Sequence, residues 1–248
     1  MQRCIPVLLF VLMCSAPALA ASYINGIDCN YPPFAYVDEK SGQPAGFDVE
    51  ALDWIATTMG FDVTHTPIAW DAIIPALLAK KVDMVCSGMH ITPERKKQVA
   101  FSVPYWKLHN VFVTKKDSDL TVPAILTQKL KLGGQRGASE AVALAKLRRE
   151  QQLRFEVRLY ASTPVLFEEV ISGRLDAALT DSLSAQHAVL QGKPVRIAGI
   201  HGETVFFGVA FRKDDAELQN LVNEGYKKLM ADPFWAQLQQ KYNVKPLD

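Results

Sequence analysis

Beyond residue 20 the chain alternates strand-like with helix-like segments, and this alternation most constrains the fold. Residues 23–28 are short and strand-like. Residues 48–59 follow a helical period, with Val49, Leu52, Ile55, Ala56 and Met59 on one face and Gly60 where a helix would stop. Residues 61–66 are β-rich, 70–80 are helical, and 82–86 form an apolar strand ending at Ser87-Gly88. Thr92-Pro93-Glu94 has the chemistry of a helix start: a capping hydroxyl, a proline at the first helical position and an acid against the dipole. The second half repeats the pattern. Strands are expected at 129–133, 155–159, 177–181 and 205–211; helices are expected at 139–150, 164–171, 182–190, 214–230 and 234–242. The order predicts an α/β architecture with largely parallel sheets. Two such series suggest two lobes. Ligands of such sheets sit at the carboxyl ends of the strands, which places a site in the cleft between the lobes.

Length and charge narrow the function. The chain has 248 residues, 49% of them hydrophobic and 21% charged, an ordinary globular composition. Its 27 Lys and Arg nearly cancel its 26 Asp and Glu, so no basic excess points to nucleic acid or to a membrane surface. Residues 1–20 have a basic start at Arg3, an apolar run over residues 7–13 and the small-x-small sequence Ala18-Leu19-Ala20. They are expected to be a secretory signal peptide cut after Ala20. Its loss removes Arg3 and no acid, which equalises the two charge counts. Cys29 and Cys86 then remain, and an oxidising compartment leaves a disulfide and two buried thiols both open. Two cysteines cannot make a closed structural zinc site, and Gly133, Gly134 and Gly137 fit neither phosphate-binding glycine pattern. No metal or cofactor is expected.

Several runs together resemble one family: Tyr31-Pro32-Pro33-Phe34, Gly46-Phe47-Asp48-Val49-Glu50, Trp70 to Leu77, Val82-Asp83, Ser87-Gly88-Met89-His90-Ile91-Thr92-Pro93-Glu94-Arg95, and Phe101-Ser102-x-Pro104-Tyr105. The chain is similar to the polar-amino-acid type of periplasmic solute-binding proteins that feed ABC importers. That resemblance implies the type II periplasmic-binding-protein fold, two lobes joined by two hinge crossings. Mapped here, lobe 1 would comprise 21–108 and 205–248, and lobe 2 would comprise 109–204. It also implies a periplasmic monomer that delivers an amino acid to a membrane permease.

The resemblance assigns roles that the local chemistry supports. An amino acid offers a carboxylate, an ammonium group and a side chain. Arg95, one turn into the helix begun at Thr92, matches the arginine that pairs with the carboxylate, helped by residues matching Ser87, Gly88 and His90. Asp181 ends a buried-looking strand and matches the acid that takes the ammonium group; it also suits a helix N-cap. Ser139 matches a residue whose backbone N–H meets the carboxylate, and is otherwise an N-cap. Asp28, Tyr31, Trp70 and Gln135 match the side-chain pocket, whose acid and aromatic faces favour a basic or amide side chain. His90 stands where relatives have a small hydroxyl residue. Arg136 near the mouth instead suggests an acidic ligand. Two other readings compete with this one. One is a periplasmic dehydratase of the cyclohexadienyl or arogenate type, with His90, Asp181 and Asp28 as acid or base. The other is a ligand-sensing domain.

Overall fold

The computed structural model describes residues 20–245. The expected signal peptide, apart from Ala20, lies outside the described residues. The described residues form two five-stranded sheets and one three-stranded sheet.

The first sheet gathers β1 (Ser22–Ile27), β5 (Asp62–Pro67), β6 (Met84–Val85), β7 (Ala100–Phe101) and β13 (Ala210–Phe211), in the order β5-β1-β6-β13-β7. β1 runs parallel to both of its neighbours, while β13 is antiparallel to β6 and β7. Its small companion pairs β2 (Asn30–Tyr31), β3 (Ala35–Val37) and β4 (Pro44–Ala45). α1 (Phe47–Met59) buries Phe47, Leu52 and Ile55 against Val222 and Tyr226 of α8 (Ala216–Ala231) and Leu238 of α9 (Pro233–Tyr242). The end of the chain therefore packs on its beginning. α2 (Trp70–Leu78) covers the sheet with Ile73 and Leu77, and α3 (Pro93–Lys96) is a single turn.

The second sheet has the order β10-β9-β11-β8-β12, from β8 (Trp106–Lys115), β9 (Lys131–Gln135), β10 (Glu156–Tyr160), β11 (Ala177–Asp181) and β12 (Val195–Phe207). β9, β10 and β11 are parallel, and β8 and β12 are antiparallel. α4 (Val122–Thr127) and α5 (Ser139–Glu150) pack on one cluster with Phe112 and Leu132. α6 (Thr163–Ile171) and α7 (Ser182–Leu190) pack on another with Val111 and Val113. Parallel strands at each core with antiparallel partners at one edge make a mixed α/β fold of two lobes.

β8 and β12 were not anticipated at this length. They form one long ribbon, and Leu108 pairs with Val205 while His109 pairs with Thr204. The expected lobe boundaries thus fall opposite each other on the ribbon. Register shifts near Gly199 and between His201 and Thr204 interrupt its alternation, which hid the strand in the sequence. The expected strand 205–211 is instead the end of β12 and β13, broken at Gly208-Val209.

Candidate functional site

The parallel strands of both sheets deliver polar residues to one place at their carboxyl ends. Asp28 follows β1, Ser87-Gly88 follow β6, Gln135 ends β9 and Asp181 ends β11. With Tyr31, Trp70, His90, Arg95 and Ser139 they line one cavity between the sheets. All ten residues expected at a site are brought together there.

Arg95 reaches the cavity because Thr92 caps α3, its hydroxyl accepting the Arg95 N–H at 3.2 Å, and Pro93 fixes the first turn. The guanidinium is buried. It donates to the His90 carbonyl at 3.0 Å and to the Gly137 carbonyl at 3.1 Å, and lies 5.3 Å from the Trp70 ring centroid. Among the described residues no carboxylate lies within ion-pair distance of it. Burial pushes its pKa down, against the opposing pull of Glu140. Trp70 therefore presents a face to Arg95, while its flank packs with Ile73 and Leu77.

Asp181 caps α7, Oδ1 accepting from Leu183 N–H at 2.9 Å and Ser184 N–H at 2.8 Å. Burial raises its pKa, as does Glu140, while the backbone bond lowers it. Asp28 accepts from Asn30 N–H at 3.1 Å and from the Gln135 amide at 3.1 Å; burial nevertheless raises its pKa. Ser87 Oγ accepts the Asp28 N–H at 2.9 Å, tying β1 to β6 at the site.

Three expectations change in detail. Ser139 is the first residue of α5, and Ala138 stands at the cap without a side-chain bond. The Ser139 hydroxyl turns across the cleft to His90 Nδ1, 2.7 Å away. Gly88 does not offer its N–H to the cavity, because that group donates to Asp48 Oδ2 at 2.6 Å. Its contribution is shape: its φ is +56°, and a Cβ there would strike the Tyr31 ring. Arg136 does not line the cavity; it is exposed and faces Asp71 at 3.6 Å across the mouth.

His90 stacks on Phe207 with ring centroids 5.3 Å apart, so it turns inward. Cys29 and Cys86 are both free thiols. Among the described residues no group of three His, Cys, Asp or Glu side chains could hold a metal ion, and no helix is long and apolar enough to cross a membrane.

The sequence reading missed Glu140, Thr163 and Thr180, which also line the cavity. Glu140 is buried, and its Oε2 accepts the Ser139 hydroxyl at 2.9 Å. An acid in the first turn of a helix is ordinary dipole chemistry, so nothing local marked it. Thr163 gave no signal beyond a helix start, yet its hydroxyl donates to Gln135 Oε1 at 2.9 Å. Among the described residues, two buried polar atoms of cavity-lining side chains have no hydrogen-bond partner, Tyr31 OH and Trp70 Nε1. Such groups are costly unless something in the cavity satisfies them.

Comparison with known proteins gives a consistent picture. The model of the bacterial extracellular solute-binding proteins, family 3, matches residues 23–245. An L-arginine-binding protein of Pseudomonas aeruginosa is 32% identical over 88% of this chain and 86% of its own. A lysine/arginine/ornithine-binding periplasmic protein of Escherichia coli is 30% identical over 92% of this chain and 90% of its own. Among solved structures, an ancestral arginine-binding protein bound to arginine superimposes with a TM-score of 0.82 at 32% identity, covering 91% of this chain and 99% of that one.

Proposed function

Because the chain belongs to the bacterial extracellular solute-binding proteins of family 3, we propose that its cleft captures a polar amino acid with a basic or amide side chain. One observation carries this reading: Arg95 is a buried cation with no anionic partner among the described residues. Burying an uncompensated charge is expensive, and a ligand carboxylate would compensate it. Two backbone carbonyls and the Trp70 face hold the guanidinium in place, and the N–H groups at the start of α5 add a second anion-binding element.

Asp181, fixed by its capping bonds, takes the ammonium group. Asp28 faces the ligand side chain, with Gln135 beside it and Tyr31 and Trp70 as walls. Ser87, Gly88, His90 and Ser139 shape the carboxylate end. Closure joins the lobes through bonds that exist only when both are in place: Arg95 to Gly137, Ser139 to His90 and Gln135 to Asp28. A ligand held by both lobes shifts the population toward that state. The protein then works as a periplasmic monomer, exported by residues 1–20, and hands its ligand to an ABC permease. Relatives named for arginine, and for lysine, arginine and ornithine, support the ligand class.

Isothermal titration with arginine, lysine, ornithine, histidine and glutamine tests the reading. One-to-one binding of at least one ligand is expected, with R95A weakening it a hundredfold or more. An absence of heat and of any melting shift with the whole panel would overturn it. Incubation with prephenate or arogenate is expected to leave both unchanged.

A further inference from the structure

We infer that Glu140 is a specificity-determining residue, one that makes the cleft select a cationic side chain over a neutral one of the same shape. The inference rests on the reading that Arg95 and Asp181 hold the amino-acid backbone. Three carboxylates line the cavity with little exposure: Asp28 at 2%, Asp181 at 2% and Glu140 at 7%. Against them stands one guanidinium, Arg95, with 7% exposure. Whether or not His90 is counted as a cation, the three carboxylates outnumber the positive groups of the lining, which therefore carries an excess of negative charge. Among the described residues none of the three acids forms an ion pair with Lys or Arg.

The acids differ in how their charge is held. Asp181 accepts two backbone N–H groups, and Asp28 accepts one with two side-chain amides. Among the described residues Glu140 accepts only the Ser139 hydroxyl, and its Oε1 lies 3.8 Å from His90 Nε2, beyond a hydrogen bond. Its charge is the least compensated by direct bonds.

The carboxylate and ammonium of an amino acid cancel, so a neutral side chain leaves the excess untouched. A cationic side chain reduces it. In a closed, buried cleft salt screens poorly, and a carboxylate still acts on a cation several ångströms away. Glu140 also sits at the start of α5, beside the carboxylate end. There it disfavours every amino acid equally, so the comparison of two side chains isolates its effect.

The experiment compares L-arginine with L-citrulline, which exchanges a guanidinium for a urea of nearly the same shape. Both are titrated calorimetrically into wild type, E140Q and E140D. The arginine-to-citrulline affinity ratio is expected to fall roughly tenfold in E140Q, with citrulline binding tightened, and to be retained in E140D. A ratio unchanged in E140Q, with both ligands weakened alike, would reduce Glu140 to a structural role and overturn the inference. If E140Q does not fold, E140A is read in the same way. If wild type binds neither ligand nor any other amino acid, the amino-acid reading itself fails, which is a distinct outcome.

Discussion

Gln135 donates its side-chain amide to Asp28 across the cleft at 3.1 Å, and Thr163 fixes that amide from behind by donating to its carbonyl oxygen at 2.9 Å. The orientation of Gln135 thus follows from its partners: one end must donate to a carboxylate, and the other must accept from a hydroxyl. The chain Thr163–Gln135–Asp28 links α6 of one lobe to the end of β1 in the other.

Removing this link should weaken closure. A hydrogen bond to a charged group contributes about 1.5–3 kcal/mol. Q135A is therefore expected to lower ligand affinity about tenfold or more, measured by calorimetry. T163V leaves the amide present but free to turn, so a smaller loss in the same direction is expected. Unaltered affinity in both variants would show that the Asp28 contact does not contribute to the bound state.

Gly137 gives a test of closure separate from ligand contacts. Its φ is +77°, and a Cβ there would meet the Asp71 Cα of the facing lobe at 3.1 Å. That neighbour is backbone and cannot rotate away. G137A should cost about 1 kcal/mol of stability through its backbone conformation, and it should also hold the lobes apart. Ligand affinity is expected to fall at least tenfold, and ligand-induced compaction in small-angle scattering should shrink. G42A is the control. Gly42 has φ +69° with open space around it, so it pays the same strain without touching closure.

Much of this was legible in the sequence. The helical periods of α1 and α2 and the Thr92-Pro93 start of α3 are local signals, and local physics alone produced those elements. The candidate site was legible where one residue carries a chemistry that its surroundings make costly, as Arg95 and Asp181 do. Glu140 and Thr163 were not, because their meaning lies in a burial that exists only when two lobes meet. The β8–β12 ribbon was hidden for a related reason. His109 and Asn110 interrupt one strand and Gly199 and Gly202 the other, and only their pairing across the chain makes them strand.

The thiols separate by accessibility. Cys29 is half-buried beside Asp28, where burial and that charge raise its pKa. Cys86 is fully buried, its Sγ 3.2 Å from Tyr226 OH. Thiol reagents act on the thiolate. In protein lacking residues 1–20, Cys29 is expected to react slowly in the native state and Cys86 only after unfolding, giving two thiols in denaturant without reductant. A count of zero would establish a disulfide in the native protein.

Asp48 connects the core to the site and titrates in an accessible range. Its Oδ2 accepts the Gly88 N–H at 2.6 Å and the Tyr105 hydroxyl at 3.0 Å, while Oδ1 is buried without a partner among the described residues. Burial pushes its pKa from 3.8 up to about 7, and these two bonds oppose the shift only in part. A folded-state pKa raised above the unfolded one means that the folded protein holds the proton more tightly. The resulting stability is fully present below 3.8 and is lost as pH rises through about 7. D48N keeps an acceptor for Gly88 and removes the titration. Urea unfolding of wild type and D48N at pH 5 and pH 8 isolates the group from the other buried acids. The wild type is expected to gain about 2 to 3 kcal/mol relative to D48N on going from pH 8 to pH 5. A difference between the two proteins that does not change with pH would mean that Asp48 stays ionised in the core, held by the Gly88 and Tyr105 bonds alone.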